Sequence, residues 1–186
     1  MSNKESNTLL IRKYINALIV NVDRNRLPTE FDLVFSGGGF NGIFGIGVLY
    51  YIKALEEHGF TKVKRVSGCS IGSLLALWYI TNCTEDPDSW FTDIIQMFKK
   101  KQNNTSYNEK IVKTVYTLFV DDESVKKLNK RLFITFYDME KGKQKVISNY
   151  KGRDHLIECL ISSSYLPRIT DGSLRYKERY VDGITP

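Results

Sequence analysis

The stretch Ser67-Gly68-Cys69-Ser70-Ile71-Gly72-Ser73 decides the fold of this 186-residue chain. A β-branched run at 63–66 precedes it and a strongly apolar run follows it, which predicts a strand before the stretch and a helix after it. A serine with a glycine two residues away on each side is typical of a nucleophile elbow, a tight turn that holds the serine hydroxyl clear of the sheet. A glycine-rich turn that only caps a helix has the same short pattern, so the neighbouring sequence has to separate the two.

A second strand, glycine loop and helix lies earlier in the chain. Residues 31–35 have the composition of a buried strand and lead into Gly37, Gly38 and Gly39, after which a nearly continuous apolar segment runs from 43 to 55. Two such modules in succession predict neighbouring parallel strands. Consecutive glycines let backbone N–H groups converge on one point, which suits either a phosphate or the oxyanion of an acyl-transfer intermediate.

The residues around the triple glycine favour the oxyanion over a nucleotide. The loop Gly37–Gly42 fits the loose pattern Gly-x-Gly-x-x-Gly, but a dinucleotide site needs an acidic residue at the end of the next strand. Here the next strand ends in the serine elbow instead. The lysine of a nucleotide phosphate loop does not follow the glycines either. Two glycine-rich turns at the ends of adjacent strands, one of which holds Ser70, therefore indicate acyl transfer.

Three motifs in this order resemble those of the patatin-like phospholipase family. The motifs are the glycine loop at 37–42, the elbow at 68–72 and, late in the chain, Tyr180-Val181-Asp182-Gly183. The segment 161–167, Ile-Ser-Ser-Ser-Tyr-Leu-Pro, is similar to a serine-and-proline segment of the same family. The resemblance covers residues 31–186 and implies an α/β fold, in which a central, mainly parallel sheet is flanked by helices in three α/β/α layers.

The resemblance also implies an activity and its residues. Ser70 and Asp182 match the Ser–Asp dyad that hydrolyses lipid acyl esters through an acyl-enzyme intermediate, and Gly37, Gly38 and Gly39 match the oxyanion hole. A lipid or phospholipid is the implied substrate, of the phospholipase A or general esterase type. The mechanism requires no cofactor and no metal ion.

Two departures from the family pattern leave a second function open. Asn41 stands where the family has arginine or lysine, and Ile184 stands where its last motif has glycine or alanine. Loss of the cation weakens the anchoring of the loop, and a β-branched residue at a tight turn shifts Asp182. The alternative is therefore a catalytically impaired lipid-binding or regulatory module on the same scaffold.

Other nucleophiles and bases fit the sequence less well. The chain has two histidines, His58 and His155, and neither follows a late strand as the histidine of a Ser–His–Asp triad would. We expect His58 to lie beside the negative end of its helix, where Gly59 suits a left-handed cap. Cys69 is a weak candidate nucleophile, because the residue beside the serine of an elbow points into the protein.

The pattern of the chain predicts an N-terminal helical extension at 1–28 and a catalytic domain at 29–186. In the extension, residues 8–24 have the spacing of an amphipathic helix, with Leu10, Tyr14, Ala17 and Leu18 as its apolar positions. We expect this helix to pack on the domain, and membrane anchoring is the alternative. Within the domain, the sequence further predicts helices near 71–81, 90–101, 111–119 and 153–164, and a short helix that starts at 121–123. It also predicts strands at 132–137, 143–149 and 179–181.

Composition and charge indicate the class of protein, its cellular location and the surfaces that it contacts. Hydrophobic residues make up 42% of the chain and charged residues 26%, as in ordinary globular proteins, and the first residues lack the pattern of a signal peptide. Three scattered cysteines indicate neither a disulfide framework nor a zinc site, which favours an intracellular protein that is soluble or peripherally bound to membranes. A net charge of +6 favours contact with an anionic membrane surface, whereas no nucleic-acid-binding motif accompanies it.

Overall fold

The fold is α/β, with a five-stranded sheet of which three strands run parallel and helices that flank it. A computed structural model describes residues 2–81 and 122–184, so the helices predicted at 90–101 and 111–119 lie outside the described residues. The strands are β1 (Glu30–Phe35), β2 (Lys62–Cys69), β3 (Leu132–Asp138), β4 (Lys143–Ile147) and β5 (Tyr180–Asp182). The helices of the described part are α1 (Ser2–Val20), α2 (Gly42–Glu57), α3 (Ile71–Thr81), α4 (Asp122–Leu128) and α5 (Arg153–Ser163). The predicted fold class is thus confirmed.

The register of the sheet brings two distant strand ends together. β2 runs parallel to β1 on one side and to β3 on the other, where Cys69 pairs with Thr135. β4 pairs with the edge of β3 that faces away from β2. Because β4 and β5 both pair with residues 136–138 of β3, β5 lies on the other edge, which is the edge that β2 occupies. β5 runs antiparallel to β3 and its last residue, Asp182, pairs with Phe136. The carboxyl ends of β2 and β5 therefore point at each other across one residue step of β3.

An ion pair between the buried Asp138 and the partly buried Arg179 holds β5 against β3. The carboxylate of Asp138, the last residue of β3, is 1% exposed and accepts two hydrogen bonds from the guanidinium of Arg179, at 2.9 and 2.7 Å. Arg179 also pairs with Glu140 at 2.7 Å. Hydrogen bonding by the guanidinium lowers the pKa of Asp138 to about 2, so the pair persists over the whole neutral range. Since Arg179 immediately precedes β5, the pair fixes the strand that carries Asp182.

The main core lies between the sheet and the helices α2, α3 and α5. Its fully buried side chains are aliphatic and aromatic, as expected for strands covered on their faces. They include Leu49 of α2, Val66 of β2, Leu77 of α3, Leu132 and Ile134 of β3, and Leu156, Leu160 and Ile161 of α5. No described helix is long and apolar enough to cross a membrane.

The helix α1 packs on the domain through a face that the sequence analysis did not predict. Ile15 and Ile19 are buried against Ala54 and Leu55 of α2. The predicted apolar positions were wrong in this respect, because the side chains of Leu10, Tyr14 and Leu18 are about half exposed or more, and Ala17 is exposed too. Two apolar stripes share the helical spacing in α1, and the position of α2 selects the isoleucine stripe.

Candidate active site

Ser70 lies in a strained turn between β2 and α3, as the elbow pattern predicts. Its backbone is left-handed, with φ of 56°, a conformation that costs energy for any residue except glycine. The residue is 7% exposed. The flanking glycines are required by close approach, since a Cβ added at Gly68 would lie 2.2 Å from the carbonyl oxygen of Gly72. A Cβ at Gly72 would lie 2.4 Å from the carbonyl oxygen of Phe35 at the end of β1.

A relay of hydrogen bonds through Ser163 fixes the elbow. The backbone N–H of Ser70 donates to the Oγ of Ser163 at 2.9 Å, and the hydroxyl of Ser163 donates to the carbonyl oxygen of Thr135 at 2.7 Å. Ser163, at the end of α5, is fully buried. On the other side, the backbone N–H and the hydroxyl of Ser73 both donate to the carbonyl oxygen of Ser70, at 2.9 and 2.7 Å. The serine run at 162–164 is visible in the sequence, but its local pattern does not predict this role.

Asp182 lies beside the elbow in a nearly dry position. The residue is 2% exposed, and its Oδ1 accepts a hydrogen bond from the backbone N–H of Ile184 at 2.9 Å and a longer one from the thiol of Cys69 at 3.9 Å. Its Oδ2 is buried and has no hydrogen-bond partner among the described residues. Burial raises the pKa of the Asp182 carboxyl, and this outweighs the lowering by the nearby Ser70 hydroxyl, the Ile184 N–H and the Cys69 thiol. The fold thus brings Ser70 and Asp182 together, and one carboxylate oxygen has no partner in the part of the chain that the structure describes.

The glycine loop contributes the third side of the site. A Cβ at Gly37 would lie 3.0 Å from the Cβ of Ser70, so this part of the loop contacts the elbow directly. Gly38 and Gly39 are exposed and have positive φ angles of 149° and 55°. The turn at Gly39–Asn41 then leads into α2, whose N-terminus therefore lies close to the loop. The side chain of Ile184 also reaches this loop, because its Cδ1 would lie 2.0 Å from a Cβ at Gly37.

A hydrogen bond from Gln144 holds the residue that follows β5, Gly183, against the sheet. Its side-chain amide, on β4, donates to the carbonyl oxygen of Gly183 at 2.9 Å. Gly183 itself fits only because it lacks a side chain, since a Cβ there would lie 2.5 Å from the carbonyl oxygen of Thr135. Gly183 belongs to the last of the three sequence motifs, whereas no local pattern in the sequence predicts its contact with Gln144.

The other candidate groups have different surroundings. Burial and the neighbouring Asp182 carboxylate raise the pKa of the Cys69 thiol to about 12, which keeps it protonated and makes it a poor nucleophile. The ring of His58 hydrogen-bonds the carbonyl oxygen of Ala54 at 2.8 Å, at the end of α2. His155 accepts from the backbone N–H of Lys151 and contacts Cys159. Within the part of the chain that the structure describes, no group of three or more His, Cys, Asp and Glu side chains is arranged to hold a metal ion.

Replacement of Asp182 by asparagine is expected to raise the thermal stability at neutral pH. A carboxyl whose pKa is raised by folding favours the folded state while it is protonated, and this contribution is lost as the pH rises through the folded pKa. At pH 7 the variant therefore avoids burying a charge, whereas at about pH 3, below the reference pKa of about 3.9, the aspartate is protonated in both the folded and the unfolded state and the gain disappears. Melting temperatures at the two pH values test this, with the exposed Asp154→Asn as the control. A gain of equal size at both pH values would show that the buried charge of Asp182 is not what lowers the stability of the wild type.

The fold and site together place the chain in a class of α/β proteins that carry a serine elbow, a glycine loop and a buried aspartate at one end of a mainly parallel sheet. The family model for the patatin-like phospholipase domain matches residues 33–184, so the chain belongs to the patatin-like phospholipase family.

Curated relatives carry the same family name. The human patatin-like phospholipase domain-containing protein 2 is 26% identical over 164 residues, which cover 82% of this chain and 32% of that protein. The mouse protein of the same name is 25% identical over 149 residues, which cover 75% of this chain and 30% of that protein. The chain thus spans about a third of the length of the curated relatives it matches.

Proposed function

We propose that the chain is a lipid acyl hydrolase in which Ser70 is the nucleophile and Asp182 the general base. The observation that carries the proposal is the meeting of β2 and β5 on one edge of β3, which puts the Ser70 hydroxyl beside a buried carboxylate. Ser70 and Asp182 are 112 residues apart in sequence (182 − 70), so no local constraint accounts for their proximity. The strained elbow and the unpaired Oδ2 are further support, since both are costly features unless they serve chemistry.

In the first step, the Ser70 hydroxyl oxygen attacks the carbonyl carbon of the ester while its proton passes to the Oδ2 of Asp182. An aspartate in water is a weak base for an alcohol, because its reference pKa is about 3.9. Burial of Asp182 raises that pKa and makes the carboxylate a stronger proton acceptor. The hydrogen bonds to Oδ1 leave Oδ2 as the oxygen that is available for the serine proton.

The tetrahedral intermediate carries its negative charge on the former carbonyl oxygen. Backbone N–H groups at Gly37, Gly38 and Gly39 are the proposed donors to that oxygen, where each donor contributes about 3 to 4 kcal/mol in related chemistry. The contact between Gly37 and Ser70 supports this role. The α3 helix, which begins immediately after Ser70, directs its positive dipole end at the same position.

The remaining steps release first the alcohol and then the acyl group. The protonated Asp182 gives its proton to the leaving alcohol as the C–O bond of the ester breaks, which leaves the acyl group on the Ser70 oxygen. Asp182, again a carboxylate, then takes a proton from water as the water oxygen attacks the acyl carbon. Collapse of that intermediate returns the proton to Ser70 and frees the fatty acid. No cofactor or metal ion takes part in this sequence.

One contact favours a second function, a lipid-binding module without hydrolysis. The Ile184 side chain lies on Gly37, where it narrows the space above the proposed oxyanion hole. If the side chain keeps the ester carbonyl out of that space, the scaffold binds lipid without cleaving it.

Labelling by a fluorophosphonate probe separates the two functions. We expect the probe to modify the wild-type protein at Ser70, as located by peptide mass spectrometry, because the elbow and Asp182 activate that hydroxyl. Ser70→Ala is expected to remain unlabelled. Ser162→Ala removes a buried hydroxyl that, among the described residues, donates to the carbonyl oxygen of Glu158, and it is expected to label like the wild type. Release of fatty acid from phosphatidylcholine is measured in parallel. A wild-type protein that neither reacts at Ser70 nor releases fatty acid would leave only the binding function.

A further inference from the structure

The segment 165–176, here called the arginine loop, presents apolar side chains to solvent between α5 and β5. Leu166, Ile169 and Leu174 are 39%, 58% and 57% exposed. Single exposed apolar side chains are common on protein surfaces, but three within nine residues of one ordered loop form a patch of the kind that marks an interaction site. The patch belongs to the part of the loop that does not enter the core.

Positive charge accompanies these apolar side chains. Arg168 and Arg175 are exposed, and neither takes part in an ion pair within residues 2–81 and 122–184. Asp171 is the single acidic residue of the loop, and its Oδ1 accepts hydrogen bonds from the hydroxyl of Tyr165 and from the backbone N–H of Ser173. The acidic group is thus engaged inside the loop, while the two guanidinium groups face solvent.

The loop is held in shape and rooted beside the proposed catalytic base. The backbone N–H of Arg168 donates to the carbonyl oxygen of Ser173 at 2.7 Å, which brings the two arms of the loop together. Tyr165 and Tyr176, at its two ends, are buried and their rings are 5.8 Å apart. The backbone N–H of Asp182 donates to the carbonyl oxygen of Tyr165 at 2.9 Å, so the base of the loop touches the residue that faces Ser70.

We propose that the arginine loop docks the protein on an anionic lipid surface. Aliphatic side chains enter the boundary between head groups and acyl chains, and the adjacent arginines pair with lipid phosphates, as in other interfacial segments. A protein partner with an acidic surface would match the charges but would not account for the exposed aliphatic side chains between them. The inference rests on the proposed function, because docking at this loop brings the site at Ser70 to the lipid that it would cleave.

Vesicle binding tests the docking surface directly. The full chain is sedimented with vesicles of diether phosphatidylcholine, with and without diether phosphatidylserine, so that the lipid cannot be hydrolysed. We expect binding that requires the anionic lipid and weakens as salt is added. Arg168→Glu combined with Arg175→Glu is expected to weaken it at least about tenfold, because each basic residue near an anionic surface contributes substantially to binding. Ile169→Ser is expected to weaken it about tenfold through loss of the buried apolar area.

Matched variants separate this loop from the rest of the surface. Lys62→Glu combined with Lys130→Glu makes the same charge change at two exposed lysines. Both lie at the amino ends of β2 and β3, at the end of the sheet away from Ser70, and we expect little loss of binding. Val146→Ser removes a side chain that is 56% exposed on β4, about as much as Ile169, and is the control for that substitution. The proposal would be overturned by equal losses in the control variants, or by a loss in Leu18→Ser on α1 that the loop variants do not share.

Soluble substrate distinguishes failure of the docking surface from failure of the proposed function. The loop variants are expected to hydrolyse p-nitrophenyl butyrate at the wild-type rate, because neither Arg168 nor Ile169 is part of the proposed catalytic machinery. If the wild type hydrolyses the soluble ester but does not bind anionic vesicles, the docking proposal alone is wrong. If it binds the vesicles through the loop but does not hydrolyse the ester, only the proposed hydrolase function is wrong.

Discussion

Replacement of Ser70 by alanine is expected to lower kcat for p-nitrophenyl butyrate by at least about 10⁴-fold, because the loss of a nucleophile removes the covalent pathway altogether. What remains is the background reaction assisted by the glycine loop and by binding. Ser70 is a short side chain in a turn whose shape is set by Gly68 and Gly72, so the alanine variant should fold normally. Circular dichroism and the melting temperature establish that it does.

The same assay examines the base. Asp182→Asn keeps the shape of the side chain but cannot accept a proton, and we expect a loss of about 10³-fold or more. In the wild type, kcat/KM is expected to fall as the pH drops through the pKa of Asp182, which burial places above the ordinary value for an aspartate. Ser162→Ala is the matched control and should retain the wild-type rate. Hydrolysis in Ser70→Ala or Asp182→Asn at the wild-type rate would exclude the Ser–Asp mechanism.

Gly68→Ala is expected to destabilise the fold by about 1 to 3 kcal/mol and to abolish hydrolysis. The added methyl group would lie 2.2 Å from the carbonyl oxygen of Gly72 and 2.6 Å from the Cα of Ser73. Both obstacles are backbone atoms, so the clash cannot be relieved by a change of rotamer. The turn has to open, which displaces the Ser70 hydroxyl from Asp182 and from the glycine loop. Urea unfolding and ester hydrolysis measure the two effects.

Gly47→Ala serves as the control for this substitution. Gly47 lies in the exposed side of α2, and a Cβ there would have no neighbour within 4 Å. Alanine restricts the unfolded chain and suits a helix better, so we expect a gain of about 0.5 to 1 kcal/mol with unchanged hydrolysis. Equal destabilisation by the two substitutions would show that the close approach at Gly68 is not what limits the elbow.

Elements governed by local backbone rules were accurately predicted from the sequence. The α3 helix begins and ends at 71 and 81 as expected, and β1 and β2 pair in parallel as the two successive modules indicated. Gly59 has the left-handed φ expected of a cap, 66°. The bounds of α3 and the cap at Gly59 depend on residues within a few positions of one another, and glycine spacing and apolar runs report such constraints directly.

Features that depend on the packing of distant elements against one another could not be predicted from local sequence patterns. The buried stripe of α1 was predicted at the wrong positions, because Ile15 and Ile19 compete with Leu10 and Tyr14 until α2 is in place. The role of Ser163 was missed for a similar reason, since a buried serine bonded to the elbow looks in sequence like any other helical serine. The domain boundary at 28 and 29 stays a prediction.

The amino-acid sequence was sufficient to predict the turn at Ser70, the glycine loop beside it and the α/β class. A tight turn and a change from strand to helix depend on residues that are adjacent in sequence, so a local pattern predicts them. The partnership of Ser70 with Asp182 depends on the long-range register of the sheet. It arises because β2 and β5 meet on one edge of β3, with Asp138 and Arg179 holding β5 in that place. The proximity of Ser70 and Asp182, which are 112 residues apart (182 − 70), follows from the packing of the whole domain, and no local pattern encodes it.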